Sequence, residues 1–244
     1  MSRLNEPIEI PERVNVARHF LTRRLEDGAG ERIALRLDER QLTYLEVERL
    51  AARFGNVLAE MGARREERVM ITLPDGPEWV GAFFGTLKLG AVVVMVNPRL
   101  EEEPLARLLE YVEPRWAVVD AGLGDRGSGE VFAEACRRVD RPPTPLAVGG
   151  ALDGAPRYEA FAAHVGDSLE AVPTHRDDAA IWLFSGGTTG LPKGVVQTHA
   201  SFINTTELYA KRALGYNADD ITLSVPKLYF GYATGSNLLF PFSV

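Results

Sequence analysis

Residues Arg68 to Val96 read RVMITLPDGPEWVGAFFGTLKLGAVVVMV, and the spacing of their apolar residues decides the fold class. Arg68 to Leu73 reads as a strand, Glu78 to Leu89 as a helix ending near Gly90, and Ala91 to Val96 as a buried strand stopped by Asn97 and Pro98. The 18 residues from Trp79 to Val96, interrupted only by Lys88, sit at the lower limit for a bilayer span. A helix followed by a buried strand accounts for them better.

Upstream, Thr43 can cap a helix while Glu46, three residues on, completes a capping box. Val47, Leu50, Ala51, Phe54, Val57, Leu58 and Met61 then recur at helical spacing, and Gly62 supplies a left-handed stop. Downstream, Pro104 to Tyr111 reads as a helix and Trp116 to Asp120 as a strand. Strands that are unbroken apolar runs, alternating with helices, predict an α/β fold: a layered, largely parallel sheet flanked by helices. Gly122 to Gly129 looks superficially like a dinucleotide fingerprint. Its glycine spacing is wrong, and no long helix with an acidic partner about 20 residues on follows it, so a surface loop is expected. Asp167 to Asp178, with Pro173 and four acidic residues, reads as a soft link. The division expected is therefore a first α/β subdomain over residues 1–175 and the start of a second over 176–244. No internal repeat or low-complexity tract is present, and Asn204-Thr205-Thr206 matches a glycosylation acceptor by pattern alone, since no secretion signal accompanies it.

Composition sets the outer limits. The chain has 244 residues, 45% hydrophobic and 25% charged, which is ordinary for a globular protein of one large or two small domains. Its formal net charge of −7 argues against a nucleic-acid partner held by counterion release. The single cysteine, Cys136, can form neither an internal disulfide nor a metal cluster, and His19, His164 and His175 show no ligand spacing, so no metal site is expected. The polar, acidic N-terminus from Met1 to Glu9 carries no secretion signal, and the chain reads as cytoplasmic, with no membrane partner. The sequence leaves open whether it forms a homo-oligomer.

Chemistry concentrates after residue 179. Ala179 to Phe184 is an apolar strand that runs into Ser185-Gly186-Gly187-Thr188-Thr189-Gly190-Leu191-Pro192-Lys193-Gly194. Three glycines and three hydroxyl residues within six positions let backbone N–H groups converge without Cβ obstruction, and Lys193 adds a positive charge, so the loop suits phosphate. It differs from the P-loop of nucleotide hydrolases, where Gly-Lys precedes Ser or Thr and the loop opens a helix. Here Lys193 lies between Pro192 and Gly194, an extended run follows, and the next helix starts near Thr198 or His199. A glycine-rich hairpin turn is the plainer alternative, although it gains nothing from the hydroxyls or from Pro-Lys-Gly. A second constellation, Tyr229, Phe230 and Tyr232 interleaved with Gly231, Ala233 and Gly235, offers flat rings beside small residues, either as an aryl slot or as ordinary core. His199 stands where a structural place at a helix start and a substrate contact are equally consistent. Asp219 and Asp220 read as a loop or helix cap.

The stretch Ser185 to Gly194 closely resembles the phosphate-loop signature of the acyl- and aryl-CoA synthetases of the adenylate-forming superfamily. Leu42-Thr43-Tyr44, Leu73-Pro74 through Pro77-Glu78, Gly90-Ala91-Val92 to Asn97-Pro98, and Ser224 to Val244 extend the resemblance over essentially the whole chain, most like the benzoate-CoA ligase branch. Two departures stand out: Gly186 replaces a serine found in most relatives, and Phe230 replaces a histidine found in many. The resemblance implies that an aromatic carboxylic acid attacks the α-phosphate of Mg²⁺-bound ATP, giving an acyl-adenylate that CoA thiolate then converts to a thioester. It implies that Ser185, Gly186, Gly187, Thr188, Thr189, Gly190 and Lys193 hold ATP phosphates, with Thr188 and Lys193 acting in catalysis, and that Tyr229, Phe230, Gly231 and Tyr232 line the acyl pocket. A carrier-protein-loading aryl-AMP ligase and a noncatalytic nucleotide- or partner-binding fragment are the alternatives. In relatives of this type the magnesium-binding glutamate, the ribose-binding aspartate and the C-terminal domain with its adenylation lysine lie beyond the position of Val244, so the chain is expected to be the N-terminal portion of a longer ligase, with its C-terminal domain absent and this portion inactive alone.

Overall fold

The computed structural model describes residues 6–124, 128–185 and 192–244. After a π-turn over Arg18–Thr22 and the single turn α1 (Arg23–Glu26), the chain forms an antiparallel hairpin of β1 (Ile33–Leu37) and β2 (Arg40–Thr43). Helix α2 (Tyr44–Glu60) follows directly, and its start is the expected capping box: Glu46 N–H donates to Thr43 Oγ1 at 3.2 Å, while Thr43 N–H donates to Glu46 Oε2 at 2.7 Å. Gly62 takes φ of +102°, a conformation open to glycine at little cost.

The frame is a six-stranded sheet made of β3 (Arg68–Thr72), β4 (Val92–Met95), β5 (Trp116–Asp120), β6 (Thr144–Val148), β7 (Ala179–Ser185) and β8 (Lys193–Thr198), in the order β6-β5-β3-β4-β7-β8. Neighbours from β6 to β7 pair in parallel, and β8 closes the edge antiparallel to β7. Because strand side chains alternate, Val69, Ile71, Val93 and Met95 face α2 and α3 (Pro77–Lys88), whereas Met70, Val94, Ala117 and Val119 face α4 (Glu102–Val112) and α5 (Ser128–Cys136). Burial on both faces is why these strands read as continuous apolar runs, and the expected α/β class is the observed one. Both cores are dense. Where α2 crosses α3, a Cβ on Gly85 would fall 2.6 Å from the carbonyl oxygen of Ala51 and 2.7 Å from the nitrogen of Gly55, so two glycines set the closeness of the pair.

The charge that interrupts the apolar run is wholly buried. Lys88 Nζ lies 2.6 Å from Glu48 Oε1, 3.0 Å from Thr22 Oγ1 and 3.0 Å from the carbonyl of Leu169. These partners explain a correction: Asp167 to Asp178, expected to be a soft link, is irregular but fastened. Val172 N–H donates to the Lys88 carbonyl at 2.9 Å, Asn15 donates to the carbonyls of Leu87 and Val172, and buried Thr174 donates to the Val14 carbonyl at 2.6 Å. The segment delivers the chain from α6 (Tyr158–Ala162) to β7, which pairs with β4 at Val93 and Ile181, so one sheet runs across residue 175.

Of the stretch expected to be a surface loop, Gly122 to Gly124 are tied down, and residues 125–127 lie outside the described residues. The N–H groups of Gly122, Leu123 and Gly124 converge on the carboxylate of Asp120 at 2.9, 2.7 and 3.2 Å, and α5 and β6 follow. These donors serve the protein's own anion, in keeping with the reading that the stretch is no dinucleotide fingerprint. Beyond β8 come α7 (His199–Thr205), a π-helical run Thr206–Leu214, an irregular stretch, and α8 (Gly231–Thr234), which continues through a π-turn Gly235–Leu239 to a 3₁₀ turn Pro241–Ser243.

Candidate functional site

In a parallel sheet the ligand crevice lies beyond the carboxyl ends of the strands, where neighbouring connections leave to opposite faces. Here the change of face falls on both sides of β3: α3, after β3, packs on one face of the sheet, whereas α5 and α4, after its neighbours β5 and β4, pack on the other. Residues 228–234 run across this crevice and are held at the ends of three adjacent strands. Beyond β3, Asp75 Oδ1 accepts the N–H of Leu228 at 2.9 Å. At the end of β4, buried Thr234 has its hydroxyl 3.5 Å from Met95 Sδ, and the same oxygen lies 2.5 Å from the Leu228 carbonyl and 3.1 Å from that of Phe230. On β7, Leu183 fills the space beside Gly231, where a Cβ would come within 2.7 Å of Leu183 Cδ1.

Two residues further along β7 the strand ends at Ser185. Ser185 and Lys193 are register partners of the antiparallel pair β7 and β8, at the same edge of the sheet as the crevice. The phosphate-loop positions Gly186, Gly187, Thr188, Thr189 and Gly190 lie outside the described residues. Ser185 and Lys193, which flank them, are exposed, and Lys193 has no ion-pair partner among the described residues. An extended strand does follow the loop, as expected, and the helix behind it begins at His199 with Thr198 as its N-cap. Below the loop, Gly194 brings β8 close to Tyr111, whose ring lies 6.5 Å from that of Trp182. Leu183, packed beside Gly231, and Ser185, the last residue of β7, thus stand two positions apart at one edge of the sheet.

The aromatic segment divides. Tyr229 is partly buried and packs on the main core, 4.6 Å centroid to centroid from Phe230. Phe230 is 49% exposed and Tyr232 73% exposed, so neither is ordinary core. At Gly231 the missing side chain admits Leu183 instead of leaving open space beside a ring. Tyr229, Phe230, Gly231 and Tyr232 also stand outside a groove of about 780 Å³ that runs between β1, the Asp75–Pro77 turn and the stretch from Asn217 to Leu228.

Sequence reasoning passed over Asp75. Burial raises its carboxyl above the ordinary aspartate range, opposed by the Leu228 N–H and by Lys227, whose Nζ is 3.9 Å from Asp75 Oδ2. Burial also raises the Tyr229 hydroxyl, with the nearby Asp75 charge adding to the shift. One signal was available: Asp75 stands in the turn that leaves a central parallel strand, where such sheets carry their sites. His199 proves structural. It is fully buried, its Nδ1 accepts the N–H of Val16 at 3.1 Å, and burial lowers its pKa to about 4. Asp220 caps a loop through the N–H of Asn217 at 2.8 Å. The thiol of Cys136 is pushed up to about 11 by burial, which leaves it a poor nucleophile. Among the described residues no group of three or more His, Cys, Asp or Glu side chains is arranged to hold a metal ion.

These features define a class, and comparison confirms it. The chain belongs to the AMP-binding enzyme family, whose model matches residues 22–244. It is 34% identical over 238 residues to the benzoate–CoA ligase of Thauera aromatica, covering 97% of this chain and 44% of that protein. It is also 34% identical over 233 residues to the 4-hydroxybenzoate–CoA/benzoate–CoA ligase of Rhodopseudomonas palustris, with 94% and 42% covered. Among solved structures it matches an anthranilate CoA ligase in complex with anthranoyl-AMP, with a TM-score of 0.89 at 29% identity, over 96% of this chain and 44% of that one. The chain therefore spans less than half the length of these relatives, and the family resemblance read from its motifs holds.

Proposed function

We propose that this chain is the part of an aromatic-acid ligase that grips the ATP polyphosphate and forms one wall of the acyl pocket. The observation that carries the reading is that Leu183, packed beside Gly231, and Ser185, paired with Lys193, lie two positions apart at the end of β7. A carboxylate oxygen of the acid attacks the α-phosphorus, the bond to the bridging oxygen of the β-phosphate breaks, and pyrophosphate leaves with the electron pair. CoA thiolate then attacks the acyl carbon and AMP departs. Negative charge grows on the leaving pyrophosphate, so fixed N–H donors at Gly186, Gly187 and Gly190, the hydroxyls of Ser185, Thr188 and Thr189, and the charge of Lys193 stabilise the transition state more than the ground state.

Tyr229 and Phe230 offer ring faces and edges to an aryl group at stacking distance from one another, which favours a benzoate-like acid over an aliphatic one. ATP reaches such sites with magnesium. Among the described residues no group of three or more His, Cys, Asp or Glu side chains is placed to hold that ion. The reading is of a cytoplasmic enzyme with small-molecule partners. It is supported by the single half-buried cysteine, which can form no internal disulfide.

The test is exchange of labelled pyrophosphate into ATP by the full-length protein. Exchange that depends on benzoate or a ring-substituted benzoate supports the reading, and exchange with fatty acids alone contradicts the aryl assignment. Thioester formation with CoA, against a carrier-protein thiol, separates a CoA ligase from an aryl-AMP ligase. A noncatalytic binding fragment gives no acid-dependent exchange at all.

A further inference from the structure

We propose that Asp75 is a positioning residue for the acyl pocket, fixing the wall formed by residues 228–234 through the backbone of Leu228. The inference rests on the reading of that segment as a pocket wall. Leu228 is gripped at both of its backbone groups: its N–H by Asp75, 153 residues away, and its carbonyl by Thr234, which lies against Met95 at the end of β4. Asp75 and Thr234 therefore tie one residue to the ends of β3 and β4, the two strands that bound the crevice.

The side chains of Leu228 and Tyr229 pack on the main core, while the chain just upstream is loosely held. Lys227, the preceding residue, reaches Asp75 only at 3.9 Å with its side chain 57% exposed, and Phe230 N–H bonds back within its own turn to the Lys227 carbonyl at 3.0 Å. Ile221, Leu223 and Val225, just upstream, are 77%, 91% and 85% exposed. The carboxylate–amide hydrogen bond is thus what holds the Leu228 N–H where the chain turns into Tyr229 and Phe230, beside the core packing of Leu228 and Tyr229. A charged acceptor is suited to this task, since such bonds are shorter and stronger than neutral ones. Asp75 touches no reacting atom on this account. It acts on acid binding through the position of the two rings.

The test compares Asp75→Ala, which removes the acceptor, with Asp75→Asn, which keeps an oxygen for the Leu228 N–H. In the full-length protein Asp75→Ala should raise KM for the aromatic acid by about tenfold, the loss of one charge-assisted hydrogen bond. KM for ATP and kcat should stay within about threefold of the parent values, inside the few-tenths to one kcal/mol scatter of neutral changes. Asp75→Asn should recover most of the lost affinity. Backbone hydrogen exchange over residues 228–234 should quicken by about tenfold in Asp75→Ala, with α2 unchanged, as for a locally opened segment. Equal losses in both variants, an unchanged acid KM in Asp75→Ala, or parallel losses for acid and ATP would overturn the proposal. Should the parent protein show no aromatic-acid-dependent exchange, the functional reading fails by itself. Faster hydrogen exchange in Asp75→Ala alone would then still support the clamp, and unchanged exchange would overturn it.

Discussion

The two parts of this molecule that carry unusual charges make opposite use of them. Lys88, at the end of α3, is sealed in the core with Glu48, Thr22 and the Leu169 carbonyl around it. Lys193, at the start of β8, is exposed beside the loop and has no ion-pair partner among the described residues. A lysine buried with a full set of partners holds segments together, and a lysine left unpaired at the mouth of a sheet is free to meet an anion. The difference teaches that charge alone does not mark a site: what distinguishes the two lysines is the set of internal partners, complete at Lys88 and absent at Lys193 among the described residues.

Replacing each lysine sharpens the contrast. Lys88→Met should destabilise the protein by about 3 to 5 kcal/mol, because Glu48 is left as a buried and uncompensated charge. Adding Glu48→Leu should recover more than half of that loss, which chemical denaturation of the single and double variants would measure. Lys193→Ala should leave the denaturation midpoint unchanged within about 0.5 kcal/mol, as for an exposed residue. It should lower the rate of acid-dependent exchange by about 10² or more, the scale of one lost transition-state donor. If Lys193→Ala unfolded the protein, or Lys88→Met spared it, the contrast would collapse.

A weaker effect comes from the two histidines that burial holds near pKa 4, His199 and His19. Both are lowered from 6.5, so the folded state favours the neutral ring. The stability this represents is complete above pH 6.5 and is lost as pH falls from there toward 4, where the folded protein also takes up the proton. For fully buried His199 the loss amounts to about 3 kcal/mol at most. Stability measured between pH 7 and 4 should fall more steeply in the parent than in His199→Asn, once each is referred to its own value at pH 7. Parallel curves would contradict the role given to His199.

The core was legible in the sequence because its signals are local. The capping pair Thr43 and Glu46 lies within one turn, and the apolar runs of β3, β4 and β5 carry their burial in their own composition. The fastened course of residues 167–178 was not legible. Its order comes from Asn15 and Lys88, whose hydrogen bonds to distant carbonyls leave no periodic trace. At the site the same rule applies. Ser185 and Lys193 stand in a contiguous motif, whereas Asp75 is joined to Leu228 only by the fold. Gly231 was expected to leave room beside a ring, but Leu183 of β7 fills that space, a neighbour that sequence spacing does not reveal.

The central claim is that the connection between β7 and β8 grips the polyphosphate of ATP while an aromatic acid lies along residues 228–232. A crystal structure of the full-length protein with a non-hydrolysable ATP analogue and benzoate tests it most directly. The account predicts phosphate oxygens against the backbone between Ser185 and Lys193, with the benzoate ring against Tyr229 or Phe230. Polyphosphate bound elsewhere, or a ring lodged away from both side chains, would contradict it.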